Sequence, residues 1–72
     1  MSLFSKRLKE LRASSQVTQK EIALFLEMTP NAYQKYEYDK REPPYDTLIK
    51  LCNYFNVSAD YLLGLSDDPT RH

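Results

Sequence analysis

Several residue types are scarce in this chain of 72 residues, and each scarcity excludes a class of protein. The single cysteine, Cys52, allows neither an internal disulfide nor a cysteine-based zinc site, and a reducing cytoplasm is expected. No run of about 18 apolar residues occurs, which argues against a membrane-spanning helix, and the first residues lack the apolar core of a signal peptide. The formal net charge of +0 argues at first sight against a nucleic-acid partner.

The groups that catalysis requires are equally sparse. The single histidine, His72, lies at the end of the chain, and Cys52 occupies an apolar helix position where a buried thiol is the expected role. The sequence shows no phosphate-binding loop, carboxylate dyad or metal-ligand cluster, so neither a cofactor nor a metal is expected. We therefore predict that the chain is not an enzyme.

The charged residues are divided unevenly along the chain. Residues 1–41 hold eight basic and five acidic side chains, a net of +3, whereas residues 42–72 hold two basic and five acidic ones, a net of −3. One interpretation is a basic working face with an acidic far side, and the other is random scatter. The overall neutrality therefore does not exclude a nucleic-acid partner.

Five amphipathic helices are predicted from the spacing of apolar residues and from capping signals. The predicted helices cover residues 3–12, 18–26, 30–37, 45–55 and 59–63. Together they predict an all-α, compact five-helix bundle over residues 1–65, followed by a flexible polar tail at 66–72. Five tyrosines are interpreted as part of the core: Tyr33, Tyr36, Tyr45, Tyr54 and Tyr61.

The second and third helices are joined by a very short turn. Only Glu27 and Met28 separate the second helix from Thr29, the predicted cap of the third. Such a connection holds two helices at a steep angle, as in a helix-turn-helix. The exposed face of the third helix carries four polar side chains: Asn31, Gln34, Lys35 and Tyr38. These side chains suit base edges and phosphates in a major groove, although an ordinary solvent-facing helix has the same pattern.

Six stretches of the sequence fall in a familiar order and spacing. They are RLKELR (7–12), TQKEIA (18–23), LEMT (26–29), YEYDKREP (36–43), TLIKLC (47–52) and FNVSADYLLG (55–64). Over residues 3–65 the chain resembles the Cro/repressor-type (XRE) helix-turn-helix domain of bacterial and phage regulators. The resemblance implies a lambda-repressor-like fold and a sequence-specific regulator of transcription that binds double-stranded DNA. It further implies a repressor located in the bacterial cytoplasm, at the nucleoid, and encoded by a bacterium or phage.

The resemblance also implies which residues contact DNA. The expected set is Thr18, Gln19, Thr29, Pro30, Asn31, Gln34, Lys35, Tyr38, Lys40 and Arg41. Gln19 matches a position that contacts a phosphate and braces the third helix. Asn31 and Lys35 are expected at base edges, because Asn can pair with adenine and Lys can reach guanine. Gln34 is expected to be a third base reader or a phosphate contact.

The resemblance assigns the remaining matched residues to support. Tyr38, Lys40 and Arg41 match the loop that holds the DNA backbone. Arg12 and Glu37 match an ion pair that joins the first helix to the end of the third, and the alternative is two independent surface charges.

Three residues depart from the pattern of the family. Glu27 stands where glycine is usual, and a left-handed backbone there costs about 1 kcal/mol for a residue other than glycine. Pro30 replaces a common polar base reader and cannot donate a hydrogen bond, although its ring can touch a thymine methyl group. Tyr38 replaces a usual Asn, and its hydroxyl can still reach a phosphate.

One such domain covers only a few base pairs, so we expect a homodimer on a palindromic operator. The expected dimer surface lies around Asn56, Val57, Ala59 and Leu62. No effector domain is visible, so regulation is expected from concentration, from a partner or from a further C-terminal region.

The alternative function is that of a protein-interaction module, such as an antitoxin or an anti-repressor partner. Its contact surface is expected to be formed by Leu24 and Phe25. Both residues stand where the family commonly has polar side chains, and we expect at least one of them to pack within the domain.

Overall fold

The computed structural model describes residues 2–71 and is all-helical within them, as the sequence predicts. The helices are α1 (Leu3–Ser14), α2 (Gln19–Phe25), α3 (Pro30–Glu37), α4 (Tyr45–Phe55) and α5 (Ala59–Leu63). His72, placed in the polar tail by the sequence, lies outside the described residues, as does Met1. None of the described helices is long and apolar enough to cross a membrane.

Hydroxyl side chains set the start of four of the five helices. At each start the hydroxyl oxygen accepts a hydrogen bond from the backbone N–H three residues later. The four capping residues are Ser2, Thr18, Thr29 and Ser58. At Thr18 the carboxylate of Glu21 also accepts from the capping residue's own N–H, which completes a capping box. The helix boundaries therefore follow from local sequence.

The helices bury one apolar core. Helix α2 packs on α3, α1 packs on both α3 and α5, and α4 packs on α5. The core residues are Leu8, Ile22, Ala23, Leu26, Tyr33, Tyr36, Leu51, Cys52 and Leu62. Because α1 and α2 pack on the inner side of α3, the outer face of α3 is left to solvent.

The prediction that Tyr45 belongs to the core is wrong. Its side chain is 86% exposed, because it is the first residue of α4, directly after Pro44, and lies beyond the packed turns of that helix. Tyr33 and Tyr36 are fully buried, as predicted. The hydroxyl of Tyr33 donates to a carboxylate oxygen of Glu37 at 2.6 Å, so the buried phenol has a polar partner.

The expected dimer surface is also partly wrong. Val57 and Leu62 are buried in the structure, so they cannot form a contact with a second copy, whereas Asn56 and Ala59 are exposed. The apolar spacing of a five-residue helix does not distinguish the side that meets its own core from a side that meets a partner.

The segment after α5 lies against the rest of the domain. The buried guanidinium of Arg7 donates to the carbonyl oxygens of Tyr61 and Ser66 and forms an ion pair with Asp67. The backbone N–H of Ser58 donates to the carbonyl of Pro69 at 3.0 Å. The flexibility of this tail stays a prediction.

Candidate nucleic-acid interface

The turn between α2 and α3 is closed by its own backbone. Glu27 has a φ of 60°, so the backbone is left-handed at the position where the family usually has glycine. The N–H of Met28 donates to the carbonyl of Ala23 at 3.0 Å, and that of Glu27 donates to Leu24 at 3.1 Å. These two bonds form a Schellman motif. The turn therefore ends α2 and leads straight to Thr29, the cap of α3.

The carboxylate of Glu37 joins three helices beneath the exposed face of α3. It is buried and forms an ion pair with Arg12 of α1, with 2.5 Å between Nε and Oε2. It also accepts hydrogen bonds from the hydroxyl of Tyr33 at 2.6 Å and from Nε2 of Gln19 at 3.1 Å. The ion pair implied by the resemblance is thus present, and the two charges are not independent.

Burial alone would raise the pKa of Glu37, but hydrogen bonds from Arg12, Tyr33 and Gln19 outweigh burial and hold that pKa below its usual value. The pKa of Tyr33 is raised, chiefly by burial and further by its hydrogen bond to the carboxylate. Glu37 is therefore ionised and Tyr33 is protonated at neutral pH. In this state every buried polar side-chain atom among the described residues has a hydrogen-bond partner.

A second link fixes α2 to α3 closer to the surface. Nε2 of Gln34 donates to Oε1 of Gln19 at 2.8 Å. Gln19 therefore bridges the buried carboxylate of Glu37 and the side chain of Gln34. Its bracing position was implied by the resemblance, whereas the bridge to Gln34 had no signal in the sequence.

The residues predicted to contact DNA fall into two groups by exposure. Eight of them are exposed to solvent: Thr18, Thr29, Pro30, Asn31, Lys35, Tyr38, Lys40 and Arg41. Gln19 and Gln34 are half-buried because they bond to each other. Asn31, Gln34, Lys35 and Tyr38 share one face of α3 by helical spacing. Whether any of the ten contacts DNA stays a prediction.

The structure shows which of the predicted contact residues adjoin Tyr38 and which groove Arg41 lines. Tyr38 lines an open depression together with Thr18 and Gln19, so the end of α3 and the start of α2 form one continuous surface. Arg41 lies apart from these residues, in a groove that it shares with Phe4 and Tyr45.

The loop after α3 is held by a serine pair that sequence reasoning missed. Asp39 has a φ of 61°, and its carboxylate accepts from the backbone N–H of Ser2 at 3.0 Å and from Oγ of Ser5 at 3.3 Å. The buried hydroxyl of Ser5 also lies 2.7 Å from the carbonyl oxygen of Tyr36. The hydrogen bonds from Ser2 keep the pKa of Asp39 below its ordinary value. These hydrogen bonds hold the residue that precedes Lys40. The signal for them in the sequence was the spacing of Ser2 and Ser5 at a helix start.

Lys9 adds a positive charge at the edge of the interface, although the sequence gave no reason to select it. Its Nζ lies 5.4 Å from the centroid of the Tyr38 ring, which is within cation–π range. The ammonium group of α1 and the ring that ends α3 therefore share one surface.

The two helices joined by a closed turn, with the second braced from behind and polar on its outer face, define the class of helix-turn-helix domains. A family model described as "Helix-turn-helix domain" matches residues 5–67. The chain therefore belongs to the helix-turn-helix family, and its pattern within that family is of the XRE type.

Several proteins of Bacillus subtilis (strain 168) are similar to the chain. The HTH-type transcriptional regulator ImmR is 55% identical over 64 residues, which cover 89% of this chain and 50% of ImmR. The uncharacterized HTH-type transcriptional regulator YqaE is 46% identical over 61 residues, covering 85% of this chain and 53% of YqaE. Its counterpart YobD is 36% identical over 67 residues, covering 93% of this chain and 60% of YobD.

The chain thus spans about half the length of ImmR and of YqaE. The family and these relatives comprise transcriptional regulators and not enzymes, so the prediction that the chain is not an enzyme is confirmed.

Proposed function

We propose that this chain is a sequence-specific regulator of transcription that binds double-stranded DNA and acts as a repressor. The observation that carries the proposal is the outer face of α3, which presents Asn31, Gln34 and Lys35 on a helix braced through Gln19 and Glu37. A braced helix loses little conformational freedom on entering a major groove. Its polar side chains can therefore bind base edges and phosphates at a small entropic cost.

The charge distribution supports the same partner. Lys35, Lys40 and Arg41 are exposed in the half of the chain with a net charge of +3. A few phosphate contacts by such cations give an affinity that falls steeply as the salt concentration rises. Since the cationic set is small, we expect specificity to depend on base contacts and on a second copy of the domain.

Selection of binding sites from random duplexes at two salt concentrations tests the proposal. We expect an enriched palindrome and weaker binding at the higher salt concentration. The double variant Lys35→Glu/Lys40→Glu should abolish binding without unfolding the domain.

The matched control is Lys6→Glu/Lys50→Glu, which makes the same change in net charge at exposed residues outside the proposed interface. This control should retain most of the affinity. Undiminished operator binding by the Lys35/Lys40 variant, or no enrichment by the wild type, would contradict the proposal.

The homodimer is proposed on symmetry, with a surface revised from the sequence-based expectation. Exposed apolar side chains on α4 and α5 now provide that surface, namely Tyr45, Ile49 and Leu63. The variant Ile49→Glu should weaken dimerisation in sedimentation measurements and lower affinity for the palindrome more than for a half-site. Equal losses on both DNAs would show that this face is not the dimer contact.

A second candidate function is an interaction with another protein through α2. Leu24 is 78% exposed, which is unusual for a leucine on a helix that carries part of a binding surface. Phe25, by contrast, packs against the ring of Tyr54 with 4.7 Å between centroids, as expected for at least one of the pair. If α2 binds a partner, Leu24→Ser should remove that partner and leave operator affinity unchanged.

The proposed location follows from the proposed function. A protein of this kind acts on bacterial or phage DNA, so we place it in the cytoplasm at the nucleoid. Signals that change its activity are proposed to act through its concentration, through a partner or through a further region like those that lengthen its relatives.

A further inference from the structure

Glu37 fixes the direction of a chain of hydrogen bonds that ends on the outer face of α3. Its buried carboxylate accepts from Arg12, Tyr33 and Gln19. An ionised carboxylate has no proton to donate, so each neighbour must turn an N–H or O–H group towards it. The direction of the chain is therefore set inside the protein, before any ligand arrives.

Gln19 carries this direction from the buried carboxylate to α3. Its Nε2 lies 3.1 Å from Oε1 of Glu37, and its Oε1 lies 2.8 Å from Nε2 of Gln34. If the amide of Gln19 were reversed, its oxygen would face the carboxylate with no proton between two acceptors. Nitrogen and oxygen have nearly the same shape in an amide, but here the carboxylate decides between them.

Gln34 is oriented in turn, with its nitrogen towards Gln19. Its Oε1 has no hydrogen-bond partner within residues 2–71, and none of the unpartnered side-chain oxygens there is buried, so this oxygen is open to solvent. The neighbouring Asn31 and Lys35 form no side-chain hydrogen bonds within the same residues and remain free to rotate. Of these three residues, only Gln34 presents an atom whose identity is fixed by a neighbour, namely its amide oxygen.

We infer that Gln34 is a specificity-determining residue that accepts a hydrogen bond from an exocyclic amino group, N6 of adenine or N4 of cytosine. Gln19 is the positioning residue that keeps the amide of Gln34 from turning. In the major groove only adenine and cytosine offer an amino donor, whereas O6 of guanine and O4 of thymine only accept. Each base pair carries its amino group on one strand only, so a fixed oxygen selects the orientation of the pair, with adenine or cytosine on the strand that faces Gln34. The inference rests on the proposed function, because it names what the DNA-binding face selects.

The test compares base preferences of the full chain with those of two methionine variants, Gln34→Met and Gln19→Met. Methionine keeps the unbranched length of the side chain and removes the amide. The wild type should enrich one orientation of one base pair in each half-site, and removal of the exocyclic amino group from the adenine or cytosine of that pair should lower its affinity. Each variant should lose about tenfold of the discrimination at that position and keep the preferences elsewhere. The control Lys40→Gln should lower affinity for all sequences alike, since a phosphate contact carries no sequence information.

A rescue variant separates orientation from a merely structural role of Gln19. In Gln19→Met/Gln34→Glu, the new carboxylate accepts at both oxygens in either orientation and needs no neighbour to direct it. The preference for adenine or cytosine should therefore return in the double variant, although total affinity is lower beside the phosphates. Circular dichroism and thermal unfolding of each variant establish that the domain is folded at the temperature of the binding assay.

Three results would overturn the inference while the proposed function stands. They are undiminished affinity when the exocyclic amino group is removed from the adenine or cytosine that depends on Gln34, an unchanged preference in Gln19→Met, and no rescue by the double variant. If the wild type enriches no sequence at all, the proposed function fails and this inference fails with it. The two failures are distinguishable, because only in the first case does the wild type select an operator.

Discussion

The two parts of the domain are held together by different means. Between α1, α2 and α3 a buried carboxylate, Glu37, is surrounded by directional hydrogen bonds from Arg12, Tyr33 and Gln19. Around α4 and α5 the packing is mostly apolar, with Leu51 and Leu62 fully buried, although the buried guanidinium of Arg7 donates to the backbone carbonyl of Tyr61. Apolar packing is nearly non-directional, whereas hydrogen bonds fix rotation and position. The contrast indicates that the first part is built to hold α3 in one orientation and the second part to keep it folded.

The backbone shows the same contrast. In residues 2–41 the left-handed conformation falls on Gln16, Glu27 and Asp39, whereas in residues 42–71 it falls on Asn56 and Gly64. Glycine and asparagine adopt this conformation at little cost, but glutamine and glutamate do not. Backbone strain of this kind persists where the surrounding structure enforces it, and it often lies at binding sites. The strained turn at Glu27 leads directly into the proposed DNA-reading helix.

Replacement of Arg12 should have the largest effect on stability. It weakens the hydrogen-bonded part of the domain, which is formed by α1, α2 and α3. In Arg12→Met the buried carboxylate of Glu37 loses its charged partner, which should lower the free energy of unfolding by about 3 kcal/mol. Denaturant unfolding measures this loss. The control Lys6→Met changes an exposed cation of the same helix and should cost less than about 0.5 kcal/mol.

Truncation of a buried side chain in α4 allows the two parts of the domain to be compared. Leu51→Ala in α4 should cost a similar amount, about 3 kcal/mol, because its side chain is fully buried. At a temperature where both variants are folded, Arg12→Met should blur the base preference and Leu51→Ala should leave it intact. Equal changes in preference would show that α3 is not oriented by the buried carboxylate.

A fall in pH should weaken the hydrogen bonds around Glu37 before it affects the apolar packing of α4 and α5. The pKa of Glu37 in the folded chain lies below its ordinary value of 4.5, so its contribution to stability is present above about pH 4.5. This contribution is lost as the pH falls through the folded-state pKa. In Glu37→Gln the dependence of unfolding on pH should be flatter, with the remaining slope partly due to Asp39, whose pKa is also lowered. An equally steep dependence on pH in Glu37→Gln would contradict the assignment.

The fold was predictable because its signals are local or periodic, whereas the ion pair between Arg12 and Glu37 was implied by the resemblance alone. A hydroxyl at a helix start and a two-residue turn each depend on a few neighbouring residues, so Thr18, Thr29 and the left-handed Glu27 could be placed from the sequence. The burial of Arg7 could not, since two of its three hydrogen-bond partners are the backbone carbonyls of Tyr61 and Ser66, which any residue provides. The exposure of Tyr45 was missed because periodicity alone does not show where the packed part of a helix begins.

Replacement of Glu27 should have the smallest effect on the free energy of unfolding. Together with the matching change at Asn56 it compares the backbone of the two parts directly. In Glu27→Gly a left-handed residue loses its Cβ penalty, which should raise the free energy of unfolding by about 1 kcal/mol, partly offset by the freer unfolded chain. Asn56→Gly changes a residue of nearly the same φ, 55°, in the apolar part, and should gain less than half as much because asparagine already tolerates this conformation. Thermal unfolding measures both changes. Equal gains would show that Glu27 carries no more strain than Asn56, and the backbone contrast between the two parts would then be lost.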